Sequence, residues 1–263
     1  MPHPIQYVRG MTMQALDNEE RTRYQRHLRI PEFGEEGQLK LKAGSVLVVG
    51  VGGLGSAILS YLAAAGVGKI GIVDADVVEL SNLQRQILHD SEHLGDAKTQ
   101  SAAARLKALN PHTELALYTE RFSQENAGRI LDDYSIVMDG TDNFETRFLI
   151  NDTCVKLGKS YIYGAINQFH GQASVFDARV GPCFRCLYPQ TPSEEVIKLN
   201  KGVGVVGAVP GIIGSIEALE CIKILTGIGK PLYGRMVLLD GALMEFQEIT
   251  IRKNPHCPLC AHT

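Results

Sequence analysis

Residues 45–66 read SVLVVGVGGLGSAILSYLAAAG, and the fold turns on this stretch. Ser45–Gly50 is an apolar, β-branched run, the composition of a strand buried on both faces. Gly50, Gly52, Gly53 and Gly55 follow at once and open an Ala/Leu helix, which Gly66 closes as a C-cap. Glycine lets the backbone approach a phosphate, and a helix N-terminus offers free N–H groups and a favourable dipole. The pair therefore reads as a nucleotide cradle. Its usual owner is a dinucleotide-dependent oxidoreductase, and a tight turn without a ligand is the purely structural alternative.

Outward from this cradle the same rhythm repeats. KIGIVDAD (69–76) is a second buried strand ending in acids. A helix near 96–109, a strand near 114–119 and a helix near 123–131 follow. The strand SIVMDGTD (135–142), a helix over 143–157 and the strand YIYGAI (161–166) continue the series. Strand and helix alternating at this spacing predict an α/β, Rossmann-like, doubly wound and mainly parallel sheet. After about residue 165, QASVFDA (172–178), RMVLLDG (235–241) and EFQEITI (245–251) read as antiparallel strands. Between them lies a Gly-rich stretch over 202–227 whose second half has helical spacing. Upstream, residues 12–30 read as a polar, Arg-rich helix anchored by Leu16 and Leu28. The expectation is one domain over 1–263: a helical arm at about 12–30, a Rossmann-like core at about 44–165, and an antiparallel, zinc-bearing extension at about 166–263.

A net charge of −3 gives no bulk electrostatic attraction to nucleic acid or to an anionic membrane. No apolar run reaches the roughly 20 residues needed to span a bilayer, and the N-terminus lacks the apolar core of a signal peptide. The expected compartment is the cytoplasm, where paired cysteines are more often metal ligands or redox groups than disulfides. Cys183-Phe-Arg-Cys186 and Cys257-Pro-Leu-Cys260 are two such pairs. Together they supply the four thiolates of a closed, structural zinc site that staples the C-terminus onto the antiparallel region. Neither has the strand-to-helix setting of a thioredoxin-type redox motif. Cys154 and Cys221 lie in helical segments and read as packed residues.

The run from Asp74 to Gln86 (DADVVELSNLQRQ) is densely polar. Lys98 opens the next helix, and Gly140-Thr141-Asp142-Asn143 ends a later strand. Strand ends of a doubly wound sheet converge on the ligand crevice. Asp74 stands where a ribose-binding acid is expected. Hydride transfer needs an apolar nicotinamide pocket. It does not need Arg85, Lys98 and Asp142 aimed at a polyphosphate. Nucleotidyl transfer does need them, because its catalysis is mostly positioning and charge neutralisation. Singly, each of these basic residues reads as a solvated surface charge.

The chain resembles the MoeB/ThiF/HesA family, bacterial relatives of ubiquitin-activating enzymes. The matching motifs are RYQRH (23–27), GVGGLGS (50–56), DADVVELSNLQRQ (74–86), Lys98, DGTDNFETR (139–147), CFRCLYP (183–189) and HCPLC (256–260), in family order from about residue 20 to 262. The resemblance implies an ATP-dependent adenylyltransferase. Its reaction joins the C-terminal glycine carboxylate of a small ubiquitin-like sulfur-carrier protein ending in Gly-Gly to AMP. It implies that Gly50, Gly52 and Gly53 face the phosphates, that Asp74 holds the ribose, that Asn82 contacts the phosphates, and that Asp76, Ser81, Leu83, Gln84 and Gln86 line the nucleotide. Arg85 and Lys98 would contact the phosphates, Asp142 would coordinate Mg2+, and Asn143 would lie beside the nucleotide. Arg26 would be inserted into the ATP site of a partner subunit, making a homodimer the functional unit.

One departure narrows these expectations. Sulfur-transferring members carry a cysteine in the segment matching PQTPSEEVIKLNKGVGVVG (189–207), and Asn200 occupies its approximate place here. Adenylation without a covalent cysteine step is expected, as is the lack of an appended rhodanese-like domain. Adenylation of a peptide or of a tRNA modification, an NAD-dependent oxidoreductase on the same sheet, and a non-catalytic binding module are the competing readings. Which carrier and which pathway are served is not written in the sequence.

Overall fold

A computed structural model of the chain describes residues 15–193, 195 and 202–261; Asn200 and the first residues of the expected arm lie outside them. The strands are β1 (Ser45–Val49), β2 (Lys69–Val73), β3 (Glu114–Tyr118), β4 (Ile136–Asp139), β5 (Ser160–Asn167), β6 (His170–Phe176), β7 (Arg235–Asp240) and β8 (Glu245–Thr250). They form one sheet in the order β3-β2-β1-β4-β5-β6-β7-β8. The first five are parallel, and β6, β7 and β8 add on antiparallel. The expected doubly wound sheet with its antiparallel extension is therefore observed.

The apolar run of β1 has a direct cause. Val46 and Val48 pack into one core layer while Leu47 and Val49 pack into the layer on the opposite face. Successive side chains of a strand point to opposite faces, so a strand covered on both sides needs an apolar residue at every position. The first layer is closed by α4 (Gly53–Ala65), α5 (Lys98–Leu109) and α9 (Ala208–Thr226). The second is closed by α6 (Ala127–Asp132), α7 (Phe144–Leu157) and the short α8 (Phe184–Leu187). Each fully buried Val, Leu or Ile contributes roughly 1.5–3 kcal/mol of transfer free energy.

The expected helix over 12–30 is instead two short ones, α1 (Asn18–Arg23) and α2 (Gln25–Leu28), joined at Tyr24. Asp17 starts α1 with a capping box completed by Glu20. The break follows from what Tyr24 must do. Its ring is buried against Gly66, and its hydroxyl accepts a 2.8 Å hydrogen bond from Asn110 Nδ2. Leu16 is buried as expected, but Leu28 is only half buried, and Tyr24 carries the anchoring. A helix not read in the sequence, α3 (Gly34–Lys42), links this arm to β1.

Candidate active site

The strand order places a topological switch point between β1 and β4, because the chain leaves them toward opposite edges of the sheet. Ligands of open α/β sheets bind beyond the carboxyl ends of the strands at such a point. Here the two loops touch. Gly50 holds φ +94°, and a Cβ on it would stand 2.6 Å from the Gly140 carbonyl oxygen, so only glycine fits. Beyond it α4 begins at Gly53. Its N-cap, Gly52, provides no side-chain acceptor, which leaves the first-turn N–H groups open for an anion.

The loop is held from two sides. Asp74 Oδ2 accepts from Val51 N at 2.7 Å, while Asp74 Oδ1 accepts from Asp76 N at 2.8 Å. Buried His89 donates from Nε2 to the Val51 carbonyl at 3.1 Å. A carbonyl can only accept, so Nε2 carries the proton and Nδ1 accepts from Ser101 Oγ at 2.9 Å. Burial, above all, lowers the His89 pKa and keeps the ring neutral. Nothing in the sequence singled out His89, which lies 38 residues from the loop it supports.

Other members of the expected site surround this loop. Lys98, nearly buried, opens α5 and pairs through Nζ with Asp76 Oδ2 at 2.9 Å. Arg85 donates to the Ser81 carbonyl at 3.2 Å, and its side chain passes 3.6 Å from where a Cβ on Gly53 would stand. Pro210, from the start of α9, closes on Gly53 from the other side. Gln86 is buried next to Gly52, and its Oε1 has no partner. Such an orphaned acceptor beside an uncapped helix start fits a site built for a polar ligand.

Asn82 is buried in the turn Leu80–Asn82, where its Oδ1 accepts from Glu79 N at 3.3 Å; Leu83 is half buried and Ser81 and Gln84 are exposed. On the β4 side, Asp142 is exposed, and Asn143 caps α7 by accepting from Thr146 N at 2.9 Å. Both Asn82 and Asn143 thus already serve their local turns. Arg85, Lys98 and Asp142 are brought to one edge of the sheet, at the ends of β1, β2 and β4.

Arg26 is not. It lies on α2, which packs at the C-terminal end of α4, where Tyr24 meets Gly66. The glycine-rich loop is at the opposite end of that thirteen-residue helix, about 20 Å away at 1.5 Å per residue.

The four expected cysteines do come together. Their Sγ atoms all lie within 4.8 Å of one another, with Cys183–Cys257 at 3.6 Å and Cys186–Cys260 at 3.4 Å. They form a site that could hold a metal ion. Asn151 of α7 accepts from Phe184 N at 2.8 Å, and Asp152 binds Arg185 through both oxygens at 2.7 Å, which fixes the first knuckle. Cys154 and Cys221 are buried apart from this cluster, and burial raises both thiol pKa values, so neither is a ready nucleophile.

Ala165, Ile166, His170, Gln172, Leu238 and Glu245 line a groove of about 430 Å³ along β5, β6, β7 and β8. Among the described residues no helix is long and apolar enough to cross a membrane.

Comparison with known proteins agrees with this architecture. The sulfur carrier protein adenylyltransferase of Thermus thermophilus is 47% identical over 247 residues, covering 92% of this chain and 91% of that protein. The probable adenylyltransferase/sulfurtransferase MoeZ of Mycobacterium tuberculosis is 47% identical over 248 residues; this chain spans 63% of its length. Among solved structures, Escherichia coli MccB with ATP superposes with a TM-score of 0.79 at 21% identity, covering 94% of this chain and 75% of that one, a likeness of fold. The ThiF family profile matches residues 24–259, and the chain belongs to the ThiF family.

Proposed function

We propose that this chain is an ATP-dependent adenylyltransferase that activates a small ubiquitin-like sulfur-carrier protein. The observation carrying this reading is the meeting of an uncapped helix start, Arg85, Lys98 and Asp142 at the switch point of the sheet. The carrier's C-terminal Gly-Gly carboxylate attacks the α-phosphorus of ATP. A carboxylate oxygen–phosphorus bond forms, the bond to the bridging oxygen breaks, and the electron pair departs with pyrophosphate. The carboxylate is already ionised at neutral pH, so no general base is required. The chain's task is to bind, align and neutralise charge.

In this reading the first-turn N–H groups of α4 and the side chains of Arg85 and Lys98 face the phosphates. Lys98 exchanges its Asp76 partner for them. Asp74 and its neighbours hold the nucleoside, and the orphaned Gln86 Oε1 gains a donor. Asp142 holds Mg2+, which screens the polyphosphate charge. The carrier's tail approaches along the groove over β5 and β6, which begins at Ala165, next to Gly164.

The cysteine cluster is read as a zinc site. Zinc–sulfur bonds of about 2.3 Å in a tetrahedron require sulfurs roughly 3.8 Å apart, close to the 3.4 and 3.6 Å separations. With four ligands the site is closed and structural. The functional unit is read as a homodimer in the cytoplasm. Arg26 lies too far from its own phosphate loop to serve it. Tyr61, Ile87, Leu219 and Phe246, each more than half exposed, gather around an apolar groove on the α4 and α9 face. An apolar cluster of this kind marks a surface that is covered in solution. The chain is read as adenylating alone, with no covalent cysteine step.

The test is exchange of labelled pyrophosphate into ATP. Exchange is expected only with a Gly-Gly-ended carrier present, and Asp142→Ala should lower it at least 100-fold while leaving the protein folded, as expected when transition-state charge stabilisation is lost. No exchange with any such carrier, together with clear NAD binding, would overturn the reading.

A further inference from the structure

The motif DGTDNFETR contains two buried charged residues with no part in the reading above, Asp139 and Arg147. Asp139 ends β4, is fully buried, and has every acceptor position engaged. Its Oδ1 takes Thr141 N at 2.9 Å and Thr141 Oγ1 at 2.6 Å; its Oδ2 takes Tyr161 Oη at 2.6 Å and Arg147 Nε at 3.2 Å. A carboxylate offers about four lone-pair sites, so none remains for a ligand. Arg147, itself nearly buried on α7, reaches on through Nη2 to the Thr141 carbonyl at 2.9 Å and to the Gly164 carbonyl of β5 at 3.3 Å. Burial alone would favour a neutral guanidine, but the Asp139 carboxylate outweighs it and keeps Arg147 charged.

Thr141 is therefore gripped at its N–H, its hydroxyl and its carbonyl. Gly140 before it is pressed against Gly50 of the phosphate loop. Asp142 after it is exposed. A turn with this many fixed points at one residue and an exposed acid at the next holds that acid in place.

We propose that Arg147, clamped by Asp139, which Tyr161 holds in turn, is the positioning residue that sets the height of Asp142 above the phosphate loop. The inference rests on the adenylation reading, in which Asp142 is the residue that holds the divalent cation. The side chain must be arginine because one planar fork serves a carboxylate and two carbonyls, one in the turn after β4 and one on β5, whereas an ammonium is a point donor. Groups that orient a metal-holding carboxylate typically change metal affinity 10- to 100-fold when altered.

The competing account is that the Asp139–Arg147 pair only stabilises the core. Glu217 of α9 separates the two. It is fully buried, its carboxyl presses on Gly164 at the same cluster, and neither of its oxygens has a partner. It touches the cluster without touching Thr141.

Arg147→Lys, Tyr161→Phe and Glu217→Gln would be compared in two measurements. One is Mn2+ binding, followed by electron paramagnetic resonance with a non-hydrolysable ATP analogue. The other is the Mg2+ dependence of pyrophosphate exchange. For Arg147→Lys, Mn2+ affinity should fall about 10-fold or more, with the half-maximal Mg2+ concentration rising to match. Saturating Mg2+ should restore most of the rate, and metal-free nucleotide affinity should not change. Tyr161→Phe, which removes a single hydroxyl and carries the test if Arg147→Lys does not fold, should shift both in the same direction by a smaller factor. Glu217→Gln should shift neither. Wild-type cation affinity in both Arg147→Lys and Tyr161→Phe, or equal effects in all three variants, would overturn the inference while leaving adenylation standing. A wild-type protein with no metal-dependent exchange would overturn both.

Discussion

At the scale of single residues, the site divides into groups that would meet ATP and groups that hold the loops carrying them. The sequence alone suggests the first kind. Asp142 stands three residues after β4, while Arg85 and Lys98 follow the end of β2 by 12 and 25, and a doubly wound sheet sends those strand ends to one side. It does not suggest the second. His89 acts through a partner 38 residues away in sequence, and Arg147 reaches the Gly164 carbonyl on β5, 17 residues away. His89 gives a pH prediction. Burial lowers its pKa below the ordinary 6.5, so its stabilising contribution is complete above that value and is lost as the pH falls below it, when the unfolded chain takes up the proton first. His89→Gln retains an amide donor for the Val51 carbonyl and removes the titration. At pH 7.5 this variant should be less stable by about 1 kcal/mol, the value of one altered hydrogen bond, and the gap should narrow below pH 6. Thermal unfolding across pH 5–8 measures it; a gap that widens with acidification would contradict the assignment.

At the scale of elements, periodicity and turn chemistry were sufficient for most of the chain. An unbroken apolar run named β1, and Gly66 and Gly158, both in the left-handed region, end α4 and α7 where a C-cap glycine is expected. The arm was misread because Arg-rich helical composition hides the demand on Tyr24, which must leave the helix axis to cover Gly66. The two cysteine pairs named a metal knuckle, and the fold adds what it joins: α7 and β6 on one side, the last described turn of the chain on the other. We expect one zinc per chain on metal analysis. Stripping it with a chelator should lower the melting temperature and free the segment after β8 to proteolysis, because four clustered thiols lose the cation that organises them. A metal-free protein that melts unchanged would refute the zinc reading.

At the scale of the whole molecule, the position of Arg26 yields a complementation test. Arg26→Ala and Asp142→Ala chains should each be inactive in carrier-dependent exchange. Mixed and re-equilibrated, they should recover about a quarter of wild-type activity, since half the twofold dimers are mixed and each has one intact site. No recovery from chains that demonstrably exchange would exclude an arginine acting across the interface. By itself the sequence determined the class of fold, the glycine-rich loop between β1 and α4, and the two Cys-x-x-Cys pairs, because each depends on spacing within one or two elements. The tertiary structure alone decided that Gly50 and Gly140 meet at the switch point, that Arg147 grips the turn before Asp142, and that Arg26 stands a helix length from its own loop. Those facts follow from strand order and from which end of α4 the arm packs against, and local patterning is the same for many such arrangements.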